Sequence, residues 1–141
     1  MAMGKINLGR VILGGLLAGL VINVSEAVLN MGVIAAPMDE VLRARNLPPM
    51  NNTSMTVWIV LSFLLGIVTV WLYAAIRPRY GAGVGAAIMA GLIVFFLAYA
   101  YTMTGMAVMG FVPRSLLLIT LCWGLVEILA ASVIGAWAYK E

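Results

Sequence analysis

Apolar residues gather into four long runs, at about residues 6–33, 55–76, 82–106 and 115–139, with short polar stretches between them. A surface helix of a soluble domain carries one apolar stripe and one polar face. These runs are apolar nearly all round. A bilayer core about 30 Å thick takes roughly 20 helical residues, so each run is long enough to cross one. The pattern predicts an all-α membrane protein: a single domain over residues 1–141 with four transmembrane helices in an up-down bundle. The run ends carry residues that anchor helices at headgroup level. These are Arg10 on the first, Trp71 and Tyr73 followed by Arg77 and Arg79 on the second, and Trp137 and Tyr139 on the last.

The first connection, residues 34–54, is the one stretch that reads as aqueous. Acidic Asp39 and Glu40 precede basic Arg43 and Arg45, which suits the dipole of a short amphipathic helix begun near Pro37. Pro48 and Pro49 are expected to stop it, and residues 51–54 offer caps for the next helix. Their N-x-[ST] triplets would be glycosylation acceptors only in a secretory-pathway lumen. Pro78 is expected to close the second span. Gly81, Gly83 and Gly85 open the third, without the strand or the Walker lysine that a phosphate loop requires.

Composition sharpens the class. The 141 residues are 65% hydrophobic and 9% charged, with a mean hydropathy of +1.12; soluble domains are about a quarter charged. The net charge of +3 comes from cations at the ends of apolar runs, which argues against nucleic acid as a partner and for membrane lipid. Cys122 is the lone cysteine and there is no histidine, so an internal disulfide is impossible and this chain cannot ligate haem or a pigment through His. No cofactor is expected. Lys5, Arg10 and Ser25-Glu26-Ala27 look like a secretory signal, but a glutamate beside the cut is unusual, and a retained helix is expected. With four spans, Lys5, Arg10, Arg77, Arg79 and Lys140 share one side, against Arg43, Arg45 and Arg114 on the other. That places both termini in the cytoplasm of a bacterial inner membrane.

Steps of three and four along each run collect small or polar residues on one stripe. Gly15 and Gly19 form a GxxxG pair, which reads either as a dimer seam or as packing within the chain. Gly66, Gly91, Gly105, Gly124 and Gly135 are the other expected packing positions. At about 1.5 Å per residue, Glu26 lies about 22–24 Å and Glu127 about 18 Å above the cytoplasmic ends. Asn23, Asn30, Ser62, Tyr99 and Thr102 complete a polar layer. There is also a hint of duplication: residues 14–21 resemble 86–93, and 67–73 resemble 133–139. That would make the second hairpin a copy of the first.

An ionised carboxylate at such depth costs at least about 2.5 kcal/mol, and no Lys or Arg lies level with either glutamate. Protonation, or one proton shared by the two carboxyls, is the expected state. The carboxyls then either carry protons or a cation, or hold helices together. Met103, Met106 and Met109 recur every three residues, a spacing that could offer thioethers to Cu(I) but equally suits packing; no metal site is expected. No nucleophile and base pair or nucleotide motif appears, so no enzyme is expected.

With Glu26 in the first helix, the Trp71–Gly81 turn and Glu127 in Trp-Gly-Leu-Val-Glu, most of the chain resembles small bacterial four-helix integral membrane proteins, a resemblance that implies no activity. Small multidrug transporters also have four helices and a glutamate in the first, but their local sequence around it is absent here. The expected role is a small accessory or structural subunit packing with other membrane subunits, or with copies of itself, in a larger complex such as an energy-converting one. The alternative is a homo-oligomeric proton- or cation-coupled transporter using the two glutamates.

Overall fold

A computed structural model describes residues 5–140 and is all-helical over that range. Four helices are long and apolar enough to cross a membrane: α1 (Leu8–Val33), α3 (Asn52–Tyr80), α4 (Val84–Val108) and α5 (Arg114–Ala138). The short α2 (Ala35–Ala44) lies between the first two. At 1.5 Å per residue the 26 residues of α1 span about 39 Å, more than a hydrocarbon core.

Local chemistry sets the ends. Asn7 caps α1, its Oδ1 accepting the Arg10 N–H at 3.1 Å, and Asn51 caps α3 by accepting from Ser54 N–H at 2.8 Å, each satisfying a donor that the first turn would leave free. α2 stops before the two prolines. Asn46 takes the left-handed conformation with φ 54°, and the N–H groups of Asn46 and Leu47 return to the carbonyls of Arg43 and Leu42, the paired bonds of a Schellman end. Gly110, with φ 78°, ends α4 in the same way through bonds from Gly110 and Phe111 to Ala107 and Met106. Pro78 does not close α3. It sits in the final turn, where its missing N–H removes a single bond, and the helix runs on to Tyr80 before Gly81 ends it.

In the half near the chain termini all four long helices meet. α1 packs on α3 and α5, α4 packs on α5 and α3, and α3 and α5 touch across the middle. Contacts along neighbours advance in opposite directions: Gly15 meets Ile67 while Gly19 meets Phe63, and Gly91 meets Ser132 while Gly124 meets Tyr99. The core here is built of small side chains, with Ala18, Ala74, Ala86, Ala87, Ala90 and Ala131 all buried, so backbones approach closely.

The two hairpins are tied by a repeated contact. The backbone N–H of Asn7, which caps α1, donates to Tyr139 Oη at 3.3 Å; that of Gly83, which caps α4, donates to Tyr73 Oη at 3.2 Å. Each tyrosine therefore caps the first helix of the other hairpin, and the two rings meet edge to face at 6.0 Å. These residues end the segments that match in sequence.

The opposite half is looser. α3 has no buried residue before Gly66, and α4 has none after Val94. α1 and α5 stay packed there, closed by a small cluster of Leu29, Ile34 and Leu116 on which Met38 and Val41 seat α2. Arg45 donates to the Gly110 carbonyl and lies over the Phe111 ring, joining the two loops at this end.

A carboxyl pair bridged by a tyrosine

Three helices bring polar side chains together where the tight half meets the loose one. Tyr99 of α4 approaches both glutamates: its Oη lies 2.6 Å from Glu127 Oε1 on α5 and 3.3 Å from Glu26 Oε1 on α1. Asn30 Nδ2 donates to Glu26 Oε2 at 2.7 Å and to the Glu26 carbonyl at 2.8 Å. Glu127 is 4% exposed, and its Oε2 is buried with no hydrogen bond among the described residues. Glu26, Asn30 and Tyr99 are half-buried. Beside them Trp123 Nε1 donates to Ser25 Oγ at 2.8 Å, a second link between α1 and α5.

Two departures from regular helix shape this site. α1 passes into a π-helical turn at Leu29–Val33, which holds Asn30, and α4 does so at Phe96–Ala100, which holds Tyr99. A π turn inserts a residue into the 3.6-residue period, and such turns are frequent at functional sites. In α4 the buried face runs through Ala86, Ala87, Ala90, Gly91 and Val94 and in a regular helix would continue to Ala98, Thr102 and Gly105. The π turn shifts that face by about one residue. Tyr99 and Met103 turn toward the bundle, and Thr102 and Gly105 are exposed.

That shift removes two expected residues from the interior. Thr102 leaves the polar layer and bonds to the Leu97 carbonyl of its own helix. Gly105 is not at a close approach within the chain, since a Cβ there would meet nothing within 4 Å. Asn23 lies apart from the carboxyls and ties α1 to α3, donating to the Gly19 and Ile59 carbonyls at 3.0 and 3.3 Å. Ser62 is half-buried on α3 and makes no hydrogen bond to the pair.

The other glycines sit at close approaches. A Cβ on Gly66 would strike the Gly15 carbonyl and the Gly19 backbone, and one on Gly15 or Gly19 would strike Ile67 or Phe63. The Gly15 and Gly19 face is thus covered by α3 within the chain. A Cβ on Gly135 would lie 2.5 Å from Val70, and one on Gly91 3.1 Å from Leu129 and Ser132. Gly124 is filled by the Tyr99 ring, whose Cδ1 lies 2.5 Å from where a Cβ would be; that glycine is what lets the phenol reach Glu127. Phe95 stacks on the Tyr99 ring, with centroids 6.1 Å apart.

Of the expected anchors, Arg10, Trp71, Arg79 and Trp137 are exposed. Tyr73 and Tyr139 are not: at 4% and 5% exposure they are consumed by the capping contacts between hairpins. Arg77 is half-buried and lies over the Tyr139 ring. Met106 and Met109 line a shallow hollow with Arg45 and Phe111, and Met103 is not among the lining residues.

Ser25, Trp123 and Ser132 were not singled out by the sequence stripes. Ser132, fully buried, donates to the Ala87 carbonyl at 2.6 Å. A serine or tryptophan facing inward carries no sequence signal until the neighbouring helix is known. Against known protein families, curated proteins and solved structures, the chain finds no match.

Proposed function

We propose that this chain is an integral membrane protein, an up-down bundle of four spans with both termini in the cytoplasm of a bacterial inner membrane, serving as a small accessory subunit of a larger membrane complex. The observation that carries the reading is the unpacked half of α4: no residue of Tyr101–Val108 is buried. Along it Tyr101, Thr102, Thr104 and Gly105 are exposed, polar and small groups at the membrane level of the bundle. Lipid tails offer such groups nothing, whereas a neighbouring helix packs on small residues and accepts hydroxyl hydrogen bonds. The facing half of α3 is equally bare, with residues 55–61 all exposed. Partners are other membrane subunits or copies of this chain, with lipid around them. Purification from native membranes in mild detergent, followed by identification of co-migrating chains, tests this. A defined set of membrane partners, or a stable homo-oligomer, is expected; a stable lone monomer would count against it.

A second reading is a proton- or cation-coupled carrier, and the observation favouring it is the Glu26, Tyr99 and Glu127 cluster drawn from three helices. Flux in proteoliposomes that is lost when both glutamates become glutamine supports this reading, and flux that survives excludes it.

A further inference from the structure

We propose that Glu26 and Glu127 form a binding site for one proton, with Tyr99 as the bridge through which that proton moves between an accessible carboxyl and a sealed one. The inference stands whether the chain works as a subunit or as a carrier.

Hydrogen counting carries it. Tyr99 has a single phenolic hydrogen, yet its oxygen lies within reach of a carboxyl oxygen on each side. If both carboxyls were ionised, one would face the phenol's lone pairs with no hydrogen between them. If both were neutral, the pair would carry a hydrogen that neither contact to Tyr99 needs, and the 2.6 Å contact lies at the short end of the O–H···O range, where charge-assisted bonds fall. One hydrogen on the pair satisfies both contacts. Glu26 Oε1–H donates to Tyr99, which donates to ionised Glu127; or Glu127 Oε1–H donates to Tyr99, which donates to ionised Glu26.

The two arrangements interconvert when the Glu26–Tyr99 contact closes from 3.3 Å to the roughly 2.5–3.0 Å typical of an O–H···O bond, a shift of a few tenths of an ångström. The Glu26 O–H bond breaks as its hydrogen passes to the Tyr99 oxygen, and the Tyr99 O–H bond breaks as its hydrogen passes to Glu127 Oε1. The negative charge moves the opposite way, and nothing is oxidised. Asn30 donates to Glu26 in either state.

Among the described residues no other charged group faces the pair. The groups that face the pair are Ser25 and Glu26 from α1, Tyr99 from α4 and Glu127 from α5. At this level α3 presents Ser62 and Phe63, neither titratable, and α2 keeps Asp39, Glu40 and Arg43 exposed. Access is one-sided. Glu127 is 4% exposed, while Glu26, Asn30 and Tyr99 are only half-buried. The proton therefore enters at Glu26 and reaches Glu127 through the phenol.

Infrared spectroscopy of the full chain in lipid nanodiscs tests this. Subtracting the spectrum of the E26Q/E127Q variant isolates the two carboxyls. At neutral pH the protonated carboxyl band is expected at half its area at the acid end point; a full band or none overturns the one-proton count, and this measurement needs only a folded reference. In Tyr99→Phe, which keeps the ring against Gly124, the band is expected to change frequency. Hydrogen–deuterium exchange of the protonated carboxyl band, followed in the wild type and in Y99F with both glutamates present, is expected to slow by at least roughly tenfold on losing the phenol, the equivalent of one hydrogen bond to a charged group. Unchanged frequency and unchanged exchange overturn the bridge.

Discussion

Replacing Gly66 by alanine tests how closely the tight half of the bundle is packed. The added Cβ would overlap the Gly15 carbonyl and the Gly19 backbone N, and would lie 2.8 Å from the Gly19 Cα. These are backbone atoms, so no rotamer change relieves the overlap, and α1 and α3 must separate. Inserting a methyl into a packed core costs about 1–3 kcal/mol, and rigid neighbours place this site at the upper end. Separation also stretches the bond from Asn23 to the Ile59 carbonyl, already 3.3 Å long, adding about 0.5–1.5 kcal/mol. Alanine recovers up to about 1 kcal/mol through helix propensity. The net loss expected is about 2.5–3.5 kcal/mol. Gly105→Ala is the matched control: its Cβ meets nothing, and its propensity gain of up to about 1 kcal/mol stands alone. Unfolding in mixed micelles, followed by tryptophan fluorescence, compares them directly. Equal stabilities, or a loss at Gly105 matching that at Gly66, would refute the packing described here.

Tyr73→Phe and Tyr139→Phe should each cost about 1 kcal/mol, because each removes one hydroxyl that caps the opposite hairpin; thermal melts giving strongly unequal losses would break the symmetry of that exchange. Ser132→Ala should lower stability by only about 0.5–1 kcal/mol, since it deletes a buried donor and leaves the Ala87 carbonyl within its own helix; a loss several times larger in the same melts would mean that this bond does more than join α4 to α5. Glu26→Gln should keep the fold and the Asn30 contact, with a melting temperature close to wild type, whereas Glu127→Leu, which strips Tyr99 of its short partner inside the bundle, should destabilise by at least about 1.5–3 kcal/mol.

How much of this was legible in the sequence depends on what sets each feature. The four long apolar helices follow from length and hydropathy alone, and the structure has them within a few residues of the expected bounds. Glycine stripes on α1, α3 and α5 fell on regular helix, so a 3.6-residue period located Gly15, Gly19, Gly66, Gly124 and Gly135 correctly. The same period misplaced Thr102 and Gly105, because the π turn at Phe96–Ala100 has no marker in the side chains it contains. Tyr73 and Tyr139 looked like interfacial aromatics since they sit at helix ends beside tryptophans; only the tertiary contact reveals that their hydroxyls face backbone donors of another hairpin. The carboxyl pair was legible from depth and missing counter-ions. Its link through Tyr99 was not, because the phenol reaches Glu127 only across the gap that Gly124 leaves on a different helix.

The proposed subunit role is tested most directly by Gly105→Leu, assayed in native membranes. A leucine there points into space that is empty within the chain, so the isolated protein should melt no lower than wild type, with a propensity gain of up to about 1 kcal/mol. If α4 packs against a partner through this half, blue-native electrophoresis of solubilised membranes will show the assembly lost and the chain running free. An assembly that persists unchanged with leucine at this position would contradict the account.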